Sequence, residues 1–223
     1  MTGAVERRRT ARISETSRQD GLTTKGRQTR QRIVATAAKL MFEQGVAGTT
    51  IEHVRAAARV SSSQIYHYFA DKESLVQAVV AYQNDEIVSV HRAVFANLDS
   101  LEGLRTWRDF MVDSQRRVGG RHGCPLGTLA SELTEADAQA RAGVVNGFRQ
   151  WEQAIRNGYD AMRARGALVP EADPDRLATA TLAALEGGLL LAQVRRSTQP
   201  LEAALDTVLA YVATQTREPL GQG

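Results

Sequence analysis

The chain has 223 residues, of which 43% are hydrophobic and 24% charged, and its net charge is +3. These values are typical of a globular protein with one large or two modest domains. The single cysteine, Cys124, excludes an intrachain disulfide framework and a cysteine-rich zinc site. We therefore expect a reducing, cytoplasmic location, and no signal peptide or membrane-spanning run is predicted.

Basic residues are concentrated at the N-terminus. Residues 1–32 contain nine Lys or Arg side chains and three acidic ones, so the remainder of the chain is slightly acidic. This asymmetry indicates contact with a polyanion, and a solvated tail is the alternative interpretation. Residues 1–25 also lack apolar periodicity, and we predict that they form a disordered basic tail.

From about residue 25 onward, the apolar spacing predicts helices. The first helix, about 27–44, has one apolar face that includes Ile33, Ala37, Leu40 and Met41, and Gly45 is expected to end it. Thr49 and Glu52 have the spacing of a capping box, which predicts a short second helix over about 50–58.

A second capping box, formed by Ser61 and Gln64, predicts a short third helix that ends near Tyr68. Two short helices separated by three residues fit a helix-turn-helix, whose second helix lies in the major groove of DNA. Gln can bond adenine through both amide atoms, Ser reads bases with little selectivity, and longer polar side chains reach phosphates. The predicted DNA contacts are Ser61, Ser62, Ser63, Gln64, Tyr66, His67 and Lys72.

Six further helices follow, so the predicted fold class is all-α with about nine helices. Asp71 caps the fourth, which runs to about Asn97; the fifth ends at residues 119–120, and 124–127 form a turn into a short sixth. A Thr134–Asp137 capping box begins the seventh, which ends at Gly166. The eighth starts at Asp173-Pro174 and runs to about 197. It is apolar almost all round, so we expect it to be buried on several sides.

The N-terminal helices resemble the TetR/AcrR family of transcriptional regulators. The matching positions are 48–51, Val54, Ala58, 60–61, 66–69 and 71–75, together with Ile33, Val34, Ala37, Leu40 and Gly45. The resemblance implies a helix-turn-helix domain over 26–72, with a mini-core of Leu40, Val54, Val60, Ile65 and Phe69. It also implies that Thr50 lies near DNA. The alternative is a helical protein in which residues 66–69 are only core.

Several positions depart from that family pattern, among them Arg59, Arg55, Met41 and Ser62. Arg59 stands where a glycine is usual in the turn, and a left-handed backbone costs a non-glycine residue about 1–2 kcal/mol. Either the turn is altered or the strain is tolerated. Arg55 replaces a usual alanine, and we expect it to be an additional phosphate contact.

For residues 73–217, the resemblance implies a ligand-binding and dimerisation domain, and residues 123–133 resemble the LmrA/YxaF-like subgroup. Aromatic and Met side chains make adaptable apolar pockets, so we expect an apolar or aromatic small-molecule effector. The candidate pocket residues are Trp107, Phe110, Met111, Phe148 and Trp151, with plain core packing as the alternative. The candidate homodimer residues are Leu182, Leu185 and Leu189 of the eighth helix and Leu205, Val208 and Val212 of the ninth; intramolecular core is again the alternative.

An enzyme is not favoured. The four histidines form no metal-binding motif, and the chain contains neither a phosphate-binding glycine loop nor a GxSxG nucleophile motif. No metal or cofactor is predicted. A DNA-binding protein without a regulatory role remains the third possibility. We expect Cys124 to be a buried, inert thiol, although its position beside Pro125 leaves oxidant sensing open.

Overall fold

The computed structural model describes residues 22–133 and 137–217, with side chains throughout except at 88 and 90–94. Within these ranges the chain forms nine helices and one isolated antiparallel bridge, Leu168–Thr216, which confirms the all-α prediction. The helices are α1 (Thr24–Gly48), α2 (Ile51–Ala58), α3 (Ser62–Tyr68), α4 (Lys72–Phe95), α5 (Leu101–Arg117), α6 (Pro125–Glu132), α7 (Ala138–Ala164), α8 (Pro174–Arg195) and α9 (Gln199–Thr214). Residues 1–21 of the predicted tail lie outside the described residues, and so does Thr134.

The chain divides into two compact units, Met1–Val79 and Val80–Gly223, and α4 continues from one into the other. The first unit contains α1, α2, α3 and the start of α4. Its core is made by Ile33, Val34, Met41, Val54, Val60, Ile65, Phe69 and Leu75. Leu40, expected in this core, is only half-buried, because its neighbour Met41 occupies the buried position. The predicted domain limits of 26–72 and 73–217 stay a prediction.

The second unit is built around α8, which packs against α7 and α9, while α5 packs on α9 and α6 on α7. A buried hydrogen bond of 2.9 Å joins Tyr159 of α7 to Thr181 of α8, and burial raises the pKa of Tyr159 to about 12. At Gly188, the backbone of α8 lies so close to α9 that an added Cβ would be 2.8 Å from the Cα of Leu201. The three helices α7, α8 and α9 therefore form one tightly packed layer.

Helix starts confirm some of the predicted caps and correct others. The Ser61–Gln64 capping box is present, and Asp71 accepts a hydrogen bond of 2.8 Å from the amide of Ser74. The predicted Thr49–Glu52 box is wrong, because Thr50 caps α2 and Thr49 is fully buried.

The hydroxyl of Thr49 donates to the carbonyl of Gly45, at 2.8 Å. Gly45 has φ 79° and ψ 161°, so the regular helical backbone of α1 breaks at the residue where the first helix was predicted to end, and a short segment to Gly48 follows this kink. At the start of α7, Asp137 is itself the cap, since its carboxylate accepts from the amides of Gln139 and Ala140.

The expectation that α8 is buried on several sides holds only in part. Leu182, Leu185 and Leu189 are buried, but Leu190, Leu191 and Val194 are 60%, 44% and 72% exposed. By length and composition alone, α8 is also the one described helix that is long and apolar enough to cross a membrane. Its packing between α7 and α9 is that of a core helix in a globular domain.

Candidate nucleic-acid interface

The turn between α2 and α3 has a defined hydrogen-bond pattern. Arg59 adopts the left-handed conformation, with φ 52° and ψ 52°. The amide of Val60 donates to the carbonyl of Arg55 and the amide of Arg59 donates to that of Ala56, each at 3.2 Å. These two bonds are those of a Schellman motif, which usually has glycine at the left-handed position. The turn is therefore unaltered, and the strain at Arg59 is tolerated.

Two arginines of α1 hold the helix-turn-helix. The Nε of Arg32 donates to the carbonyl of Ala58, the last residue of α2, at 3.2 Å. The guanidinium of Arg30 lies 5.2 Å from the centre of the Phe69 ring, directly after α3. Such a cation–π contact contributes about 0.5–1 kcal/mol at an exposed site. α1 thus contacts the end of each short helix.

The first turn of α3 is organised by its cap. The amide of Ser61 donates to Oε1 of Gln64 at 2.9 Å, and the amide of Gln64 donates to the hydroxyl of Ser61 at 3.1 Å. The hydroxyls of Ser61 and Ser63 are themselves hydrogen-bonded, at 2.9 Å. Because all of these side chains are exposed, the cap forms part of the surface that α3 presents to solvent.

The predicted DNA contacts all lie at the surface of the first unit. Tyr66 is 53% exposed, although it is a large aromatic side chain. Arg55 is half-buried and its Nε lies 2.6 Å from a carboxylate oxygen of Glu52, so part of its charge is already neutralised. The exposed members of the set are Thr50, Ser61, Ser62, Ser63, Gln64, Tyr66 and His67, and Lys72 is half-buried. The hydroxyl of Thr50 is also engaged as the cap of α2, at 3.1 Å from the amide of His53.

The candidate pocket residues lie on α5 and α7 of the second unit. Trp107, Met111 and Trp151 are buried, whereas Phe110 and Phe148 are partly exposed. Trp151 makes an edge-to-face contact with Phe95, with the ring centres 6.3 Å apart. α5 packs against α9, whereas α7 packs against α6 and α8. A single pocket formed by the candidate residues of α5 together with those of α7 therefore stays a prediction.

A cleft of about 370 Å³ lies elsewhere in the second unit, between α5 and α9. Its charged residues include Arg108 and Asp206, which form a two-bond ion pair of 2.7 and 2.8 Å. None of the candidate pocket residues lines this cleft. No cluster of potential metal ligands occurs among the residues that the structure describes.

Cys124 lies beside the partly buried carboxyl of Glu186, a pairing that the sequence does not predict. The thiol caps α6, accepting from the amide of Gly127 at 3.3 Å, and only 7% of the residue is exposed. Burial, with the nearby Glu186 of α8, raises the pKa of the Cys124 thiol well above its ordinary value. Burial also raises the pKa of Glu186 from 4.5 to about 7, although its hydrogen bond with Cys124 opposes the change.

One oxygen of Glu186, Oε1, is buried and has no hydrogen-bond partner within the described part of the chain. The available signal for this site was that Glu186 is the one charged residue between Leu177 and Val194. The geometry agrees with the expectation of an inert thiol at Cys124, because a thiol with a raised pKa forms little thiolate.

The candidate dimer residues are mostly buried within the chain, which leaves little of their surface for a partner. Leu182, Leu185, Leu189, Leu205 and Val212 are at most 9% exposed, and Val208 is partly buried. Their side chains pack inside the chain itself, because α8 and α9 pack against each other. The exposed apolar side chains of the same two helices form a different set, which we term the α8–α9 patch: Leu190, Leu191, Val194 and Tyr211.

Two family models match the chain. Residues 33–79 match the bacterial regulatory proteins of the tetR family, and residues 100–207 match the C-terminal domain of LmrA/YxaF-like transcriptional regulators. The first match covers the helix-turn-helix and the second covers most of the second unit. Both agree with the resemblance seen in the sequence.

Curated and solved relatives cover most of the chain. The transcriptional regulator AcuR of Cereibacter sphaeroides is 25% identical over 84% of this chain and 87% of its own length. The repressor NemR of Escherichia coli K12 is 27% identical over 83% and 94%. A TetR transcriptional regulator from Chloroflexus aurantiacus has a solved structure with a TM-score of 0.73 and 31% identity, covering 88% of this chain and 100% of that one.

Proposed function

Because the chain belongs to the TetR family of bacterial transcriptional regulators, we propose that it is a dimeric, cytoplasmic repressor that binds a palindromic DNA operator. A small-molecule effector releases the operator. The observation that carries the proposal is the exposed polar face of α3, which rests on the buried side chains of Val60, Ile65 and Phe69. The proposed DNA contacts are those described above, with Lys72 and Arg55 at phosphates.

Binding to DNA from the region upstream of its own gene tests the DNA-binding role. Ser62→Ala is expected to weaken binding to the specific fragment more than binding to random DNA, because Ser62 faces the bases in this proposal. Ser131→Ala, at an exposed serine of α6, is the matched control and should change neither affinity. The proposal fails if, even at low salt, no upstream fragment is preferred over random DNA.

The α8–α9 patch is the proposed dimer contact. Burial of exposed Leu, Val and Tyr side chains against a second copy contributes about 25 cal/mol per Å² of apolar surface. A two-fold dimer places its recognition helices about 34–36 Å apart, one DNA turn, and so reads a palindrome.

Val194→Arg should give monomers in sedimentation velocity and abolish operator binding. Val145→Arg, at a 47% exposed valine of α7, is the control and should leave the dimer intact. Dimers of Val194→Arg with wild-type stability would place the interface elsewhere.

The proposed effector is an apolar or aromatic molecule that binds at Trp107, Phe110, Met111, Phe148 and Trp151. It releases DNA only in so far as it binds the DNA-free conformation more tightly than the DNA-bound one. A panel of aromatic compounds beginning with 2-naphthol can be screened by quenching of the fluorescence of Trp107 and Trp151. A compound that saturates the quenching but leaves operator affinity unchanged would contradict this mechanism.

A further inference from the structure

The amide of Gln64 has a fixed orientation in the first turn of α3. Its Oε1 accepts the hydrogen bond from the amide of Ser61 at 2.9 Å, so the oxygen side of the planar amide faces the helix start. The reciprocal bond from the amide of Gln64 to the Ser61 hydroxyl, at 3.1 Å, holds the same two residues together. The Nε2 amino group, which carries two donor hydrogens, lies on the opposite side of the amide carbon. No bond engages Nε2 among the residues that the structure describes.

The neighbouring hydroxyls are constrained as well. Ser61 and Ser63 hydrogen-bond to each other at 2.9 Å, in addition to the role of Ser61 as the cap. Ser62 is exposed between them, with a hydroxyl that rotates to donate or accept. Gln64 is therefore the side chain of this turn whose hydrogen-bonding groups have a fixed direction, and what it leaves free at the surface is a pair of donors.

We propose that Gln64 reads the operator as a hydrogen-bond donor only, and that the base it contacts is guanine. This inference rests on the proposed DNA-binding function and deepens it. Guanine is the one base whose major-groove edge carries two adjacent acceptors, N7 and O6. Adenine places its N6 donor beside N7 and is bonded through both amide atoms only if Oε1 turns toward the base, which would break the cap. Cytosine presents only a donor, and thymine presents one acceptor beside a methyl group.

The test begins with wild-type protein and selection of operator sequences from randomised duplexes. A preferred palindromic site is the premise, and its absence would refute the proposed function itself. Selection with Gln64→Glu then identifies the position that depends on residue 64. Glu at this place in a capping box still accepts from the Ser61 amide, so the fold of the turn is kept while both donors are lost. Unchanged thermal stability of this variant verifies that the cap persists.

The expected result is guanine at that position with the wild type, and loss of that preference by about 10- to 100-fold with Gln64→Glu. Replacing this guanine with 7-deazaguanine, which lacks the N7 acceptor, should weaken the wild type by about 10-fold and leave Gln64→Glu unaffected. Affinities are compared as ratios to random DNA, because the added negative charge of Glu weakens all DNA binding. Ser131→Ala, at an exposed serine of α6 outside the proposed DNA contacts, is the control and should retain the guanine preference.

Two results would overturn the inference without affecting the proposed function. The first is adenine at the position that depends on residue 64, because a two-bond contact between glutamine and adenine requires Oε1 as an acceptor. The second is an unchanged base preference in Gln64→Glu, which would mean that the donors of Gln64 do not read the operator.

Discussion

Replacing Glu186 by Gln should remove most of the pH dependence of stability that this partly buried carboxyl imposes on the second unit. In the unfolded chain Glu186 ionises near 4.5, and in the folded chain near 7, because burial penalises the charged form. Between these values the folded state holds a proton that the unfolded state has lost. The free energy of unfolding therefore decreases as pH rises through this range, and it levels off above the folded pKa.

The size of the effect follows from the two pKa values. A difference of one pKa unit corresponds to about 1.4 kcal/mol, so the full rise from 4.5 to about 7 amounts to about 3 kcal/mol. About 2 kcal/mol of this falls between pH 5.5 and pH 8. Gln has the same shape but does not titrate, so the wild type should lose this amount relative to Glu186→Gln over that interval.

Urea unfolding at pH 5.5, 6.5, 7.5 and 8.0, at one protein concentration, measures the difference. Both tryptophans of the chain, Trp107 and Trp151, are buried in the second unit, so their fluorescence follows the unit that contains Glu186. Glu202→Gln is the control, because hydrogen bonds from Thr198 and Arg116 lower the pKa of Glu202, so this carboxyl is ionised in both the folded and the unfolded chain from pH 5.5 to pH 8 and its replacement should add no pH dependence there. A stability difference between wild type and Glu186→Gln that is equal at pH 5.5 and pH 8 would refute the reasoning.

Three further predictions concern backbone strain, packing and phosphate contact. Arg59→Gly should stabilise the first unit by about 1 kcal/mol in chemical denaturation, because glycine adopts the left-handed conformation without strain. Arg59→Ala should give no such gain. Equal free energies of unfolding for the two variants would show that the backbone at residue 59 is not strained. Gly147→Ala should destabilise by about 1–3 kcal/mol, because the new Cβ would lie 2.0 Å from Oδ1 of Asn84. At Gly187 an added Cβ would have no atom within 4 Å, so Gly187→Ala should be neutral or stabilise by up to about 1 kcal/mol. Similar losses of stability in Gly147→Ala and Gly187→Ala would show that the close approach of Asn84 to Gly147 is unimportant. Lys72→Ala should reduce the slope of log affinity against log salt by about 1 for specific and random DNA alike, and an unchanged slope would exclude a phosphate contact.

The helix-turn-helix could be predicted because its determinants are local. The Ser61–Gln64 box and the Asp71 cap each depend on residues three apart, and both are present. The wrong residue, Thr49, was predicted to cap α2 because Thr49 and Thr50 are adjacent and either can cap a helix. Burial decides between them, since the core holds Thr49 and leaves Thr50 at the surface. Burial of that kind depends on tertiary packing and is not encoded in the spacing.

The face of α8 that would meet a partner could not be predicted for a related reason. Between Leu177 and Val194 the helix is apolar almost all round, so periodicity does not distinguish the side packed on α7 and α9 from the side left exposed. Leu185 and Leu189 lie in the core, whereas Leu190 and Val194 lie at the surface. The dimer residues predicted on α8 therefore lie on the side of the helix that packs within the chain. Glu186 shows the same limit, because its burial against Cys124 depends on where α6 lies.

The capping box at the start of α3 has a consequence for the entropy of binding. Ordering a flexible side chain at an interface costs about 0.5–1.5 kcal/mol, and glutamine, with three rotatable bonds, is among the flexible ones. Gln64 is already held by Ser61 before any DNA is present. Its immobilisation is part of folding, so docking on a duplex requires little further loss of freedom from the side chain that presents the donors.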